Sequence, residues 1–165
     1  MPDVSWPAAL FLLFIVAQRL GELVIAKRNT ARLLARGARE HAPEHYPLIV
    51  ALHTAWIVAL VVFGHDEPVN PWWLAVFAVL QLLRLWILVS LGERWTTRII
   101  VLDEPLVARG PFGFVRHPNY ILVCAEILVA PMVLGLLWIA LVFSALNAAM
   151  LFVRIRAEEK ALGMS

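Results

Sequence analysis

Five apolar stretches, divided by polar connections and by one apolar break near Pro131, decide what this chain can become. They run roughly from Trp6 to Ala26, Tyr46 to Phe63, Trp72 to Leu91, Asn119 to Leu134 and Leu137 to Leu162. About 20 apolar residues wound as a helix cover the ~30 Å hydrocarbon layer of a bilayer. In lipid only helices and closed barrels satisfy their own backbone polar groups, and a barrel needs alternating rather than continuous apolarity. At 62% apolar, the chain exceeds the ~45–50% usual in soluble domains. The predicted fold class is all-α, a polytopic membrane bundle of about five transmembrane helices. Pro131 and Gly135 break the last apolar region, so the chain should end in a helix hairpin.

The charges set the expected topology. Lys27, Arg28, Arg32, Arg36 and Arg39 crowd the first loop, and Arg94, Arg98, Arg109 and Arg116 the third connection. Arg154, Arg156 and Lys160 lie near the C-terminus. The N-terminus, the acidic connection with Asp66 and Glu67, and the turn near Pro131 alternate with these. The positive-inside rule then puts the N-terminus outside and the C-terminus in the cytoplasm, in a bacterial inner membrane. Met1 to Ser5 holds Asp3 and no Lys or Arg, unlike a cleavable signal. The net charge of +2, with no separate basic domain, gives nucleic acid no place as a partner. Cys124, the one cysteine, reads as a small buried hydrophobe.

Several polar residues interrupt the spans. Arg19 and Glu22, three apart, share a helix face and can pair, either locking helices together or walling a pocket. Gln81 and Arg84 share a face of the third span, with Arg84 within reach of Glu22 or Glu126. His53 reads as a helix-packing donor, and Trp72 and Trp73 as an aromatic belt. Between spans, Asn29 to Ala38 suits a short surface helix. Thr97 to Leu102 suits a strand returning through Leu106 to Ala108 as a small hairpin. His41, Glu44 and His45 are close together but lack a further metal ligand, so no metal is expected.

Two polar knots remain. The first is Arg109-Gly110-Pro111-Phe112-Gly113-Phe114-Val115-Arg116-His117-Pro118-Asn119-Tyr120. Pro118 suits the first turn of a helix, whose free N–H groups can bind a carboxylate. The second is the C-terminal cluster, where Arg154 and Glu158 are four apart on one helix face. A guanidinium there can hold a carboxylate or enolate oxygen, and the carboxylate can take a ligand's amine or hydroxyls. No glycine-rich phosphate loop is present.

Arg116-His117-Pro118-Asn119-Tyr120, followed by Arg154 and Glu158-Glu159, resembles the isoprenylcysteine carboxyl methyltransferase family of integral-membrane enzymes. The likeness is strongest over about Leu106 to Leu162. It implies a single domain over 1–165, with three N-terminal spans in 1–91 and a catalytic, cofactor-binding region in 92–165. The implied cofactor is S-adenosyl-L-methionine, touched by Leu106 and Val107, by Phe112, by His117, Pro118, Asn119 and Tyr120, and by Glu158. Arg154 and Glu158 are the implied catalytic pair, with Arg154 orienting the acceptor oxygen and Glu126 as a further substrate contact. Relatives often carry tyrosine where Phe112 stands. The pattern Gln18-Arg19-Leu20-Gly21-Glu22-Leu23, with Arg28-Asn29 and His45-Tyr46, resembles the family's short bacterial branch. Some of that branch methylates alkylpyrone or alkylresorcinol products of type III polyketide synthases. The implied partners are therefore membrane lipid and a lipophilic small molecule, a prenylated or alkyl-chain acceptor, with a polyketide-derived one among the alternatives left open. A carboxylate acceptor needs no general base; for a phenol, His117 or Glu126 is the candidate. A nicotinamide-dependent membrane reductase and a non-catalytic scaffold are the alternatives.

Overall fold

The computed structural model describes residues 5–163, so the readings made for residues 1–4 and 164–165 lie outside it. The protein is an all-α membrane helical bundle of five helices: α1 (Trp6–Ala35), α2 (Tyr46–Gly64), α3 (Pro71–Leu91), α4 (Pro118–Val133) and α5 (Leu137–Ala161). A proline stands in the first turn of α1 to α4, where its missing N–H costs no helical bond. Asn70 caps α3, its side-chain oxygen accepting from Trp72 N at 3.0 Å and Trp73 N at 3.3 Å.

Four of these helices are long and apolar enough to cross a membrane. The fifth, α4, has 16 residues, about 24 Å against the ~30 Å of a bilayer core. Its far end is level with the α2–α3 connection, since Asn70 N donates to Val133 O at 2.8 Å. Its near end, at Pro118, is therefore recessed below the ends of the longer helices, and this recess holds the site.

The α4–α5 hairpin turns at Leu134–Leu136, where Gly135 has φ +69°. Gly64 lets α2 close on that turn, because a Cβ there would lie 2.5 Å from a Leu134 methyl. The core sits toward this end. Phe11 of α1 meets Phe77 of α3 edge-on at 5.1 Å, and Trp56, Leu60, Leu134 and Ile139 are sealed around them. Large apolar side chains such as Leu13, Val58, Leu82 and Leu141 cover the outside, where lipid would replace water.

Three local expectations are corrected. The surface helix over 29–38 is no separate element: α1 runs unbroken to Ala35 and leaves the bundle as a stalk. Asn29 on this stalk donates to Trp95 O at 2.8 Å and Gly92 O at 3.2 Å, tying it to the chain after α3. The hairpin within 97–108 does not form. Instead β2 (Ile99–Val101) pairs antiparallel with β1 (Arg39–His41), Glu40 opposite Ile100, so the two basic loops share a ladder. Cys124 is exposed on the outer face of α4 rather than buried. Its sulfur accepts from Asn147 Nδ2 at 3.5 Å.

Candidate active site at the basic end

The 109–120 segment is fastened to the end of α3. Gly110 has φ +60°, and a Cβ there would sit 2.3 Å from Ser90 Oγ, so both the conformation and the close approach require glycine. Arg109 Nε donates to Ser90 O at 3.0 Å. The chain then makes one tight turn over Gly110–Gly113 and enters α4 at Pro118.

Four side chains converge at that entry. His117 stacks on Tyr120, with centroids 5.2 Å apart and planes at 21°. The Tyr120 hydroxyl donates to Glu158 Oε2 and accepts from Arg154 Nε at 3.0 Å. Arg154 Nη2 donates to Thr97 O at 2.7 Å, joining α5 to the strand segment. His117 Nδ1 lies 3.9 Å from Glu158 Oε2. His117 Nε2 is sealed from solvent without a protein partner. Arg154 Nη1 has none among the described residues.

Two cavities meet here. One of about 390 Å³ lies between the stalk of α1, the 94–108 loop and the start of α4. Leu106, Val107, Phe112, His117, Asn119, Tyr120, Arg154 and Glu158 all line it. Pro118 is buried beneath, setting the helix start rather than facing the space. The second cavity, about 170 Å³, runs inward between α1, α2, α4 and α5 with mostly apolar walls, including Leu23, Ile49, Val50, Ile57 and Leu151. Arg154, Tyr120 and Asn119 line both, so they form the partition between them.

Glu126, read as a substrate contact, lies elsewhere. It is fully buried and lines neither cavity. Its Oε1 accepts from Arg84 Nε at 2.7 Å and Gln81 Nε2 at 3.1 Å, and its Oε2 accepts from Arg19 Nη2 at 2.7 Å and Arg84 Nη2. Arg84 Nη1 also reaches Glu22 Oε1 at 2.9 Å. These groups tie α1, α3 and α4 together in the bundle interior. Glu126 has no oxygen left for a ligand or for a proton, which removes it as a general base.

Sequence reasoning missed Thr97, whose carbonyl fixes Arg154. It also missed His53 and Asn147, which line the inner cavity. The helical spacing of Tyr46, Val50, His53 and Ile57 on one face of α2 was the available signal. No group of three or more His, Cys, Asp or Glu able to hold a metal occurs among the described residues.

The family model for isoprenylcysteine carboxyl methyltransferases matches residues 73–164. A Bacillus subtilis (strain 168) relative, uncharacterized protein YpbQ, is 37% identical over 93% of this chain and 95% of its own length. An uncharacterized protein of Haemophilus influenzae is 28% identical over 90% of each. No solved structure matches the chain significantly. Motif, bundle and match agree over the segment that lines nearly all of the outer cavity, and the chain belongs to the isoprenylcysteine carboxyl methyltransferase (ICMT) family.

Proposed function

We propose that the protein is an S-adenosyl-L-methionine-dependent O-methyltransferase acting on a carboxylate or a phenol or enol oxygen of a lipophilic acceptor at the membrane. The observation that carries this reading is the partition: one guanidinium, Arg154, faces both the more polar outer cavity and the mostly apolar inner one. A soluble donor and a greasy acceptor need such a meeting point.

The outer cavity suits the cofactor in size, within the ~300–1,000 Å³ common for small-molecule sites. Its donor set also suits it. Glu158 offers a carboxylate to an amine or ribose hydroxyls, His117 and Tyr120 offer a stacked aromatic wall, and Leu106, Val107 and Phe112 offer apolar contact. When bound, S-adenosyl-L-methionine supplies a methyl already made electrophilic by its sulfonium.

The chain's own task is then positioning. Arg154 is held by Thr97 O and Tyr120, which leaves Nη1 to orient an acceptor oxygen in line with the methyl. The acceptor's tail enters sideways from lipid. An open groove on α2 formed by Pro47, Ala51, Ala55 and Val58 shares Tyr46, Val50 and Thr54 with the inner cavity and supports that route. By the positive-inside rule the cofactor comes from the cytoplasm.

Calorimetry of the purified protein with S-adenosylhomocysteine and, separately, with a reduced nicotinamide phosphate tests the reading. Binding of the first is expected. Binding of the second alone would favour a reductase, and binding of neither a scaffold. Incubation with labelled cofactor and a lipid extract should then yield a labelled, lipid-soluble product.

A further inference from the structure

We propose that the outer face of α3 at its basic end, with the turn that follows Arg109, is a binding site for one anionic phospholipid of the adjoining leaflet. Arg109 and the Trp86 indole take its phosphate, and the exposed apolar stripe below them takes its acyl chain. Neither residue lines the two cavities described above, so the inference does not rest on the methyl-transfer reading.

The donors come first. Arg109 Nε donates to the Ser90 carbonyl at 3.0 Å, which fixes the guanidinium against the last turn of α3. Its two terminal nitrogens have no hydrogen-bond or ion-pair partner among the described residues. Trp86, one turn before Ser90, is 48% exposed, and among the described residues its Nε1 has no partner either. That nitrogen lies against the Arg109–Gly110 corner, where a Cβ on Gly110 would be 3.2 Å from it. By contrast, Arg32, Arg36, Arg94 and Arg98 each meet a glutamate. Arg28, Arg116 and Arg156 also lack a carboxylate, but no bond among the described residues fastens them to a second element. Ordering one of those long side chains on a headgroup would cost more entropy than using Arg109, which is already held.

Depth places these donors where phosphates begin. α3 has 21 residues, about 31 Å of helix against the ~30 Å hydrocarbon layer. Its last turn, with Ser90 and the Arg109 guanidinium, therefore sits at the boundary of that layer. Below it Leu82, Trp86 and Val89, at i, i+4 and i+7, form one exposed apolar stripe. α4, with 16 residues, is level with α3 at the far end, so its start lies about 7 Å deeper. The chain between Gly110 and Pro118 descends through that interval. It carries Phe114, 84% exposed, and Val115 into the acyl region.

Together these features select a lipid and its charge. A phosphate free in water would leave the stripe and Phe114 uncovered. A phospholipid covers them with its chain while the guanidinium and the indole N–H hold its head, the position that interfacial Arg and Trp side chains favour. A headgroup with its own cation, such as phosphocholine, would bring that cation close to Arg109, so the site prefers an anionic lipid.

The test titrates the full-length protein in detergent with dioleoyl phosphatidylglycerol or dioleoyl phosphatidylcholine and counts bound lipid by native mass spectrometry. The first phosphatidylglycerol should bind about tenfold more tightly than phosphatidylcholine. Arg109→Gln should lower that affinity about tenfold, the scale of one charge-assisted contact, and leave phosphatidylcholine unchanged. Trp86→Phe keeps a ring but loses the donor and should cost about two- to fivefold; it also covers an Arg109→Gln variant that fails to fold. Arg28→Gln, which removes an equal charge from the stalk, should leave the first site within about twofold. Phosphatidylglycerol with a photoactivatable group on its acyl chain should label residues 82–90 or 113–115. Equal affinity for the two lipids, wild-type affinity in both Arg109→Gln and Trp86→Phe, an equal loss in Arg28→Gln, or label confined to other segments would overturn the inference. So would displacement of the lipid by millimolar inorganic phosphate, which would make this a site for free phosphate. A dimer that excludes the label would give the face to a second copy and overturn it as well.

Discussion

The bundle contains two arginine–glutamate clusters built from the same chemistry and left in opposite states. In the interior, Arg19, Glu22, Arg84 and Glu126 sum to zero charge, and the Glu126 and Arg84 side chains are 1% and 4% exposed. Every oxygen of Glu126 has two donors. At the basic end, Arg154 and Glu158 do not touch each other directly but meet through the Tyr120 hydroxyl. Glu158 is 28% exposed toward the outer cavity, and Arg154 keeps a nitrogen uncommitted. A saturated cluster holds helices together. An unsaturated one on a cavity wall has capacity left for a ligand.

Mutation should separate the two by readout. The largest effect is expected from Arg84→Ala. It leaves two buried carboxylates, Glu126 and Glu22, to share the single cation of Arg19, and breaking a buried pair from one side costs about 3–5 kcal/mol. Thermal or denaturant unfolding in detergent should record that loss, and a change below about 1 kcal/mol would show that the interior cluster does not hold the fold. Arg154→Ala should act on turnover instead, lowering kcat about a hundred- to thousandfold, as loss of a positioned donor does. Cofactor affinity should stay within a few fold; surviving turnover would mean that Arg154 does not hold the acceptor. Glu158→Gln and Tyr120→Phe come next. They should weaken S-adenosylhomocysteine binding by roughly tenfold, the scale of one charge-assisted hydrogen bond. Unchanged titrations in both would move the cofactor away from the α4 start.

The same contrast explains what could be read in advance. Long apolar runs, prolines at helix starts and the Pro131–Gly135 break are local signals, and each marks an element present in the fold. Arg154 and Glu158 share a helix face by i,i+4 spacing in any tertiary arrangement, but that spacing fits a surface pair equally well, and it was the resemblance that singled them out. The pairing of β1 with β2 was not, because its partners lie about 60 residues apart and neither segment encodes the other's register. Glu126 illustrates a different limit. A lone carboxylate in a span signals a polar partner, but whether that partner is a ligand or two arginines depends on α1 and α3 packing beside it. His53 looked like a packing donor because its helical spacing with Tyr46, Val50 and Ile57 marks a shared face of α2 but not whether that face meets a neighbour or a cavity.

A third, exposed set of ion pairs sharpens the comparison and should give the smallest effect. Glu104, on the loop bordering the outer cavity, is held by Arg94 and by Arg36 at 2.6 Å, while Glu93 takes Arg32 at 2.9 Å. The hydrogen bond from Arg94, then that from Arg36, keeps the Glu104 carboxyl below its ordinary pKa. A carboxyl lowered in the folded state adds stability above its unfolded pKa and loses it as pH falls through the folded value. Lowering pH from neutral through the acid side of the carboxylate range should therefore loosen the 103–107 loop first, seen as lower amide protection there once exchange is corrected for its intrinsic pH dependence. Glu104→Gln should remove that pH dependence, and raised salt should mimic the loosening at neutral pH, because solvent-exposed pairs are screened. The interior quartet, shielded from both ions and water, should respond to neither treatment over the same range. Loop protection that ignores pH and salt would mean the loop is held by the β1–β2 ladder rather than by its charges.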